Sequence, residues 1–318
     1  MAGKPSLVAS VANAAVRRER LGAVLGGVLA AFIFGGNFVS GRHAALAGMT
    51  PADVVALRFA VSALLFGPLL LRRGIADLGG IGWARGAALA ALVGAPYIFL
   101  TMAGLRYAPA AHGALLSPAL TIISGVPLSI LMLHERPPRR AAIGIPLALI
   151  GLALATDAGF AAIGDTWRGD LMLATTGVAY GLFTVLVRRW RIPPVPAIAA
   201  VNLLSAAAWL PPYLVGGASG LLARAPLAEL VGQAIFQGLF VGGVGIILYA
   251  HAATVLGAAQ TALLPALVPV FGTLLAATLL GEHPSSLQSV GIALVVIGLL
   301  TAGGATRGNH PPVQKQRS

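Results

Sequence analysis

The chain contains no cysteine, which excludes disulfides and thiolate metal sites. Charge is scarce as well: 9% of its 318 residues are charged, where soluble domains carry about 25%. The only lysines are Lys4 and Lys315, and no G-x-x-x-x-G-K-[ST] occurs, so nucleotide hydrolysis by a P-loop is excluded. H-E-x-x-H and G-x-S-x-G are also missing, which removes zincin and α/β-hydrolase chemistry. No Asp or Glu falls in the middle of an apolar run. An intramembrane aspartyl protease and a carboxylate-based Na⁺ or H⁺ site therefore have no support, and no cofactor or metal is implied.

The residues that remain are mostly apolar. Hydrophobic types make up 58% of the chain, and its 41 glycines suit helices that pack closely in lipid. A net charge of +12 in a soluble protein would suggest nucleic acid. Here the basic residues stand at the ends of apolar runs, a placement explained by membrane orientation. The chain reads as an integral membrane protein whose partner is the lipid bilayer, not nucleic acid. The basic start (Arg17, Arg18, Arg20) suggests a signal peptide, but the run from Leu21 to about Ser40 is too long for one and reads as a first span.

A span needs roughly 20 mostly apolar residues. Ten candidates follow: 21–41, 53–71, 84–105, 110–133, 139–156, 169–187, 196–215, 230–253, 258–280 and 286–303. With the N-terminus inside, inner segments hold Lys4, Arg17, Arg18, Arg20, Arg72, Arg73, Arg85, Arg136, Arg139, Arg140, Arg188, Arg189, Arg191, Arg307, Lys315 and Arg317. Outer segments hold only Arg42, Arg106, Arg168 and Arg224, and the loop after span five carries Asp157, Asp165 and Asp170. This bias puts both termini in the cytoplasm, in a bacterial inner membrane.

Two stretches resemble each other, PAAHGALLSPALTIISGVPLSILMLHERPP from Pro109 to Pro138 and GAAQTALLPALVPVFGTLLAATLLGEHP from Gly257 to Pro284. Each has Ala-Leu-Leu near its start, then a proline, and ends on a glutamate, Glu135 or Glu282. Gly144 and Gly151 follow Glu135 at the intervals by which Gly291 and Gly298 follow Glu282. A period of 147 residues means two halves built alike. Five spans per half is odd, so the halves enter the membrane in opposite senses. The expected fold is an all-α integral membrane protein of ten transmembrane helices in two inverted five-helix repeats. The expected divisions are an N-terminal segment 1–20, repeats 21–156 and 157–303, and a tail 304–318. Inverted repeats are a recurring design of secondary transporters, with the substrate site near the midplane.

Phe34-Gly35-Gly36-Asn37-Phe38 in span one has a weaker partner, Tyr180-Gly181-Leu182-Phe183-Thr184, in span six. Leu57-Arg58-Phe59 opens span two, and Ala-Gly-Leu-Arg-Tyr-Ala-Pro-Ala-Ala (103–111) leads into span four. With the two glutamate-closed spans, this ordered set resembles the EamA-type, ten-helix members of the drug/metabolite transporter superfamily over Leu21 to Ala302. The resemblance implies a basket of spans one to four and six to nine around a central cavity, with five and ten at the periphery. It also implies export or exchange of small metabolites, often amino acids, and no enzymatic activity.

Individual residues carry competing readings. Arg58 is the one formal charge placed inside lipid, so it serves either as a handle for a carboxylate substrate or as a side chain snorkelling to the interface. His112 and Gln260 match when the Ala-Leu-Leu triplets are superposed and are candidates to flank the cavity together. Ser117, Thr121 and Ser124 form a separate stripe, facing either the cavity or a neighbouring helix. Asn37, Tyr97, Tyr180 and Gln237 are further cavity candidates, with Tyr249 beside them or in an aromatic belt. Pro96, Pro118, Pro265 and Pro269 are gating or packing kinks. Glu135 and Glu282 are expected to cap the helices that follow them. The paired glycines serve close contact within the fold or in a homodimer. A small polar or zwitterionic substrate fits one intramembrane arginine better than a multiply charged phosphate. A scaffold or enzyme without a path, and a channel, stand as alternatives. Fusion of alkaline phosphatase after Ser318 should give no periplasmic activity, whereas insertion between Asp157 and Asp165 should give full activity; the reverse pattern refutes the orientation.

Overall fold

The computed structural model describes residues 7–135, 139–156, 166–217, 220–221, 225–261 and 263–303. The readings of Lys4, Arg136, Asp157, Asp165, Arg224, Arg307, Lys315 and Arg317 lie outside them. Every described element is helical. Ten spans result: α1 (Leu7–Leu46), α2 (Pro51–Arg73), α3 (Trp83–Tyr107), α4 (Ala110–Leu133), α5 (Ala141–Ala155), α6 (Thr166–Arg189), α7 (Pro194–Pro212), α8 (Leu227–Leu256), α9 (Leu264–Leu280) and α10 (Ser286–Gly303). Seven are long and apolar enough to cross a bilayer unaided, and α5, α9 and α10 are shorter apolar helices. The 15 residues of α5 cover only about 23 Å at 1.5 Å per residue.

One boundary departs from expectation. The basic residues before Leu21 were read as a segment apart from the first span, yet α1 is one helix of 40 residues. Ala, Leu, Arg and Glu in that stretch are strong helix formers with no proline among them, so nothing in the sequence stops the helix at the membrane edge. Residues from Val16 to Gly22 are exposed. The face carrying that end of α1, with Arg72, Arg85, Arg188 and Arg189 at other helix ends, is called the basic face below.

Helix starts and breaks follow local chemistry. Thr50 and Asp53 form a reciprocal capping box at the start of α2, with Pro51 in the first turn. In α3 the ladder breaks at Gly94, ahead of Pro96. The freed N–H of Ala95 donates to Ser205 Oγ of α7 at 3.1 Å, so the break is satisfied inside protein. α8 runs as a π-helix from Ala234 to Val244.

Helix pairing obeys the inversion. α1 packs on α8 and α9, and its counterpart α6 packs on α3 and α4. α2 packs on α8 as α3 packs on α7, while α2–α7 and α5–α10 pair with themselves under the symmetry. The fold is thus two inverted five-helix repeats. In α5–α10 the paired glycines meet backbone to backbone: a Cβ on Gly151 would lie 2.7 Å from Gly291 O, and one on Gly298 2.7 Å from Gly144 O. These faces are consumed within the chain and are not free for a second copy.

One pairing breaks the symmetry. α1 also packs on α3 and α4, but α6 makes at most marginal contact with α8 and α9 among the described residues. The α1 contacts lie toward the opposite face: a Cβ on Gly41 would sit 2.7 Å from Leu105 Cδ1, and one on Gly113 2.6 Å from Phe38 Cδ1. Contact between the two helix groups through α1 and α6 is therefore concentrated at the opposite face, and at the basic face it is at most marginal among the described residues. The α5–α10 contact predicts that Gly151→Ala lowers thermal stability in detergent by about 1–3 kcal/mol. Gly22→Ala, with open space around it, should leave stability near wild type.

Candidate functional site

Arg58 sits in the basket interior, tied to two helices. Its Nη1 donates to Gln237 Oε1 of α8 at 3.2 Å and to Asn37 Oδ1 of α1 at 3.5 Å. Its Nε is buried without a hydrogen-bond partner. The approach is built by glycines: Gly238 and Gly242 of α8 face Val61 and Ser62 of α2, and Ser62 Oγ donates to Gly238 O at 3.1 Å. The π-helical stretch carries Gln237, fully buried, into this contact. Gln237 Nε2 in turn donates to Asn37 O at 3.4 Å. Arg58 therefore does not snorkel to the interface.

Aromatic rings complete the cluster. Tyr97 of α3 and Tyr180 of α6 lie with centroids 6.1 Å apart, and both are electrostatic neighbours of Arg58. Tyr97 Oη lies 3.4 Å from Ser117 Oγ, Phe183 packs on Tyr180 at 5.4 Å, and Phe34 faces Tyr249 at 6.3 Å. Tyr180 is 39% exposed although its neighbours come from α2, α3 and α8. Its open surface faces the basket, not lipid.

Toward the opposite face a latch joins the two helix groups. Arg42 Nε, at the end of α1, meets Glu282 Oε1 after α9 at 3.3 Å. Arg42 Nη1 donates to Leu105 O at 2.8 Å and Arg106 O at 3.1 Å, both on α3. Glu282 Oε2 accepts the Ala110 N–H, the first of α4, at 2.8 Å. Beside it, Ser40 donates to Gln233 Oε1 at 2.8 Å, and Glu229 holds Gln233 Nε2 and His43. The mate of this latch at the basic face is the contact of Arg188 with Glu135, both exposed at the edge of the bundle. It joins α6 to α4 only, within one helix group.

The capping expectation for the glutamates is corrected by these contacts. Glu282 caps α4, not the helix that follows it. α10 is capped by Ser285 and Gln288, each accepting the other's backbone N–H. Glu135 pairs with Arg188, and among the described residues no side chain caps the start of α5. A carboxylate directly after one helix points along that helix's axis, so it reaches neighbours at the same face more easily than the next helix start.

The matched pair His112 and Gln260 is separated. Inversion sends equivalent residues to opposite faces, so the two cannot flank one site. His112 is buried at the opposite-face end of α4, its Nδ1 2.8 Å from Asp170 Oδ1 of α6, and Gln260 is exposed near the basic face. Asp170, read as a loop residue, belongs to the first turns of α6. His112 also lines a cavity of about 210 Å³ with Pro109, Glu282, His283 and Gln288. The stripe divides: Thr121 and Ser124 face α6, where Thr121 Oγ1 donates to Gly177 O at 3.2 Å and a Cβ on Gly181 would strike Ser124 Oγ, whereas Ser117 Oγ meets Tyr97 of α3. Pro96 begins the second part of α3, Pro118 lies inside α4, and Pro265 and Pro269 lie in the first turns of α9. Among the described residues no cluster of His, Asp and Glu fits a metal ion.

Arg42 was the residue the sequence reading missed. It had been counted only as an outer charge, yet Arg42 and Arg189 stand 147 residues apart, the interval that separates Glu135 from Glu282. Extending the repeat to its charges would have put an arginine near each glutamate, although at the basic face it is the adjacent Arg188 that meets Glu135, while Arg189 donates to Met132 O.

The sequence profile of the EamA-like transporter family matches residues 21–156 and again 167–303. A Bacillus subtilis (strain 168) protein named "Uncharacterized transporter YyaM" is 28% identical over 216 residues, 65% of this chain and 69% of that one. "Uncharacterized protein PA1977" of Pseudomonas aeruginosa is 34% identical over 283 residues, 85% of this chain and 92% of its own. A solved structure, titled only as a crystal structure of a protein, shares the fold at a TM-score of 0.58 and 24% identity, over 88% of this chain and 96% of that one. The family description and the name of the Bacillus protein point to a transporter rather than an enzyme.

Glu282→Gln keeps the size of the side chain but removes the charge facing Arg42 and weakens the cap on α4, at a cost of about 1 kcal/mol. With no native thiol to interfere, a single Ser117→Cys behind the latch reports opening. Its reaction with an impermeant maleimide from the opposite face should be slow alone and several-fold faster with Glu282→Gln; equal rates refute the latch.

Proposed function

As a member of the EamA-like transporter family, within the drug/metabolite transporter superfamily, the chain is an integral membrane protein, and we propose that it moves small polar metabolites, amino acids and related compounds among them, by alternating access of its two inverted halves. The observation that carries this reading is the one broken symmetry. α1 closes on α3 and α4 at the opposite face, while the equivalent contact of α6 with α8 and α9 at the basic face is at most marginal among the described residues. An inverted repeat can form either closure, and the two exclude each other if the central cluster is to stay reachable.

The latches give the two states concrete contacts. In this conformation Glu282 caps the first turn of α4. In the opposite one Glu135 takes the same role at Ala258, its repeat equivalent, as the basic face closes. Arg58, Asn37, Gln237, Tyr97 and Tyr180 lie between the two gates, where a solute is bound in turn from each side. An orientation with the basic face in the cytoplasm of a bacterial inner membrane makes this the conformation that loads from inside, which supports export or exchange. No ion site lies within the basket among the described residues, which favours facilitation or exchange over ion-driven pumping.

Counterflow in liposomes tests the proposal. Purified protein loaded with a millimolar metabolite mixture should accumulate labelled solute transiently and saturably. Unsaturable flux without exchange indicates a channel, and no flux across a broad panel refutes transport.

A further inference from the structure

We propose that Arg58 makes the central cluster a carboxylate site: its ligands are monocarboxylates with an apolar body, and an α-ammonium group contributes nothing to recognition. This inference rests on the central cluster being the transport site and names what it selects.

The argument begins with an uncompensated charge. Among the described residues the guanidinium of Arg58 is hydrogen-bonded by two neutral amide oxygens alone, those of Asn37 and Gln237. Neutral acceptors orient it without cancelling its charge, and a buried charge without a counter-ion is costly. The occupant of the site supplies that counter-ion.

The hydrogen-bond count names its shape. Both amides bind Nη1, which leaves the Nε–Nη2 edge without a partner among the described residues. That edge presents two parallel N–H donors at the spacing of the two oxygens of a carboxylate. Nε is sealed in this conformation, so the first oxygen engages Nη2 and the second reaches Nε as the side chain settles. A single guanidinium balances one negative charge, which disfavours phosphate dianions.

The remaining walls specify the rest of the ligand. Tyr97 and Tyr180 offer ring surface beside the charge, and Tyr249 is in turn an electrostatic neighbour of Tyr180. No acid faces them. Asp53 is engaged by the α2 cap and Tyr213, Asp170 by His112, Glu229 by Gln233 and Glu282 by Arg42. Glu19 lies in the exposed first turns of α1, Asp77 in the turn after α2, and Glu135 at the end of α4, all at the basic face. A ligand ammonium therefore has no carboxylate to meet among the described residues, and both amide oxygens that could receive it are spent on Arg58.

Two measurements on the intact chain test this. Thermal unfolding in detergent is recorded with a C4–C9 panel of monocarboxylates including 3-phenylpropionate, and with the matched amide and amine, 3-phenylpropanamide and phenethylamine. Carboxylates should raise the midpoint, with the amide and amine inert; equal stabilisation by amide or amine, or none by any carboxylate, overturns the inference. Counterflow of labelled 3-phenylpropionate should be competed by phenylalanine and by deaminated acids within a factor of about three. A preference for phenylalanine of ten-fold or more overturns the dispensable ammonium. Arg58→Gln should weaken carboxylate binding at least ten-fold, and Arg58→Lys, a point charge without the fork, should restore it only in part; wild-type binding by Arg58→Gln refutes the site. If Arg58→Gln does not fold, the wild-type series decides alone. Saturable flux of other solutes with no carboxylate effect leaves transport standing and removes this inference. Carboxylate-specific stabilisation without flux does the reverse.

Discussion

A chain that crosses lipid must satisfy its own backbone, and the rest of this structure depends on how that demand is met where the helices are interrupted. Regular helix needs no help. At Gly94 the freed Ala95 N–H is taken by Ser205 of α7, and at the start of α4 the Ala110 N–H is taken by Glu282. Each interruption thus obliges one helix to stay beside another. In lipid, where water offers no alternative partner, such a contact defines a conformational state as well as stabilising it.

The same economy explains where polar groups gather. Gln237 reaches Arg58 because α8 widens into a π-helix and because Gly238 and Gly242 remove the side chains that would hold α2 away. Among the described residues, charge in the interior is confined to one guanidinium, while the carboxylates are committed at helix ends. Ion pairs stand at the rims of the bundle, and the guanidinium stands between them.

Much of the fold was legible because membrane spans are written in long runs of one composition. The ten spans and the inversion follow from hydropathy, the repeat spacing and an odd span count, whereas the peripheral place of α5 and α10 was implied only by the family resemblance. Arg58, Asn37, Gln237, Tyr97 and Tyr180 were named one at a time and are found together. What failed was any inference that treated repeat partners as spatial neighbours. His112 and Gln260 match in sequence, but the two-fold axis that relates them exchanges the membrane faces. The glutamates were referred to their chain neighbours, because nothing local in the sequence says that Glu282 reaches across to Ala110. Where α1 begins was equally invisible, since helix propensity does not register the bilayer's edge.

The glycine contact between α5 and α10 has a consequence for ancestry. Each of these helices is the last span of its repeat, and each carries the same two bare positions, Gly144 and Gly151 or Gly291 and Gly298. A polypeptide with only one repeat would display that strip uncovered, and the surface best shaped to cover it would be the same strip on another copy inserted upside down. The joint that now sits inside one chain is therefore the kind that two separate five-span ancestors would have needed to find each other, before a duplication fused them.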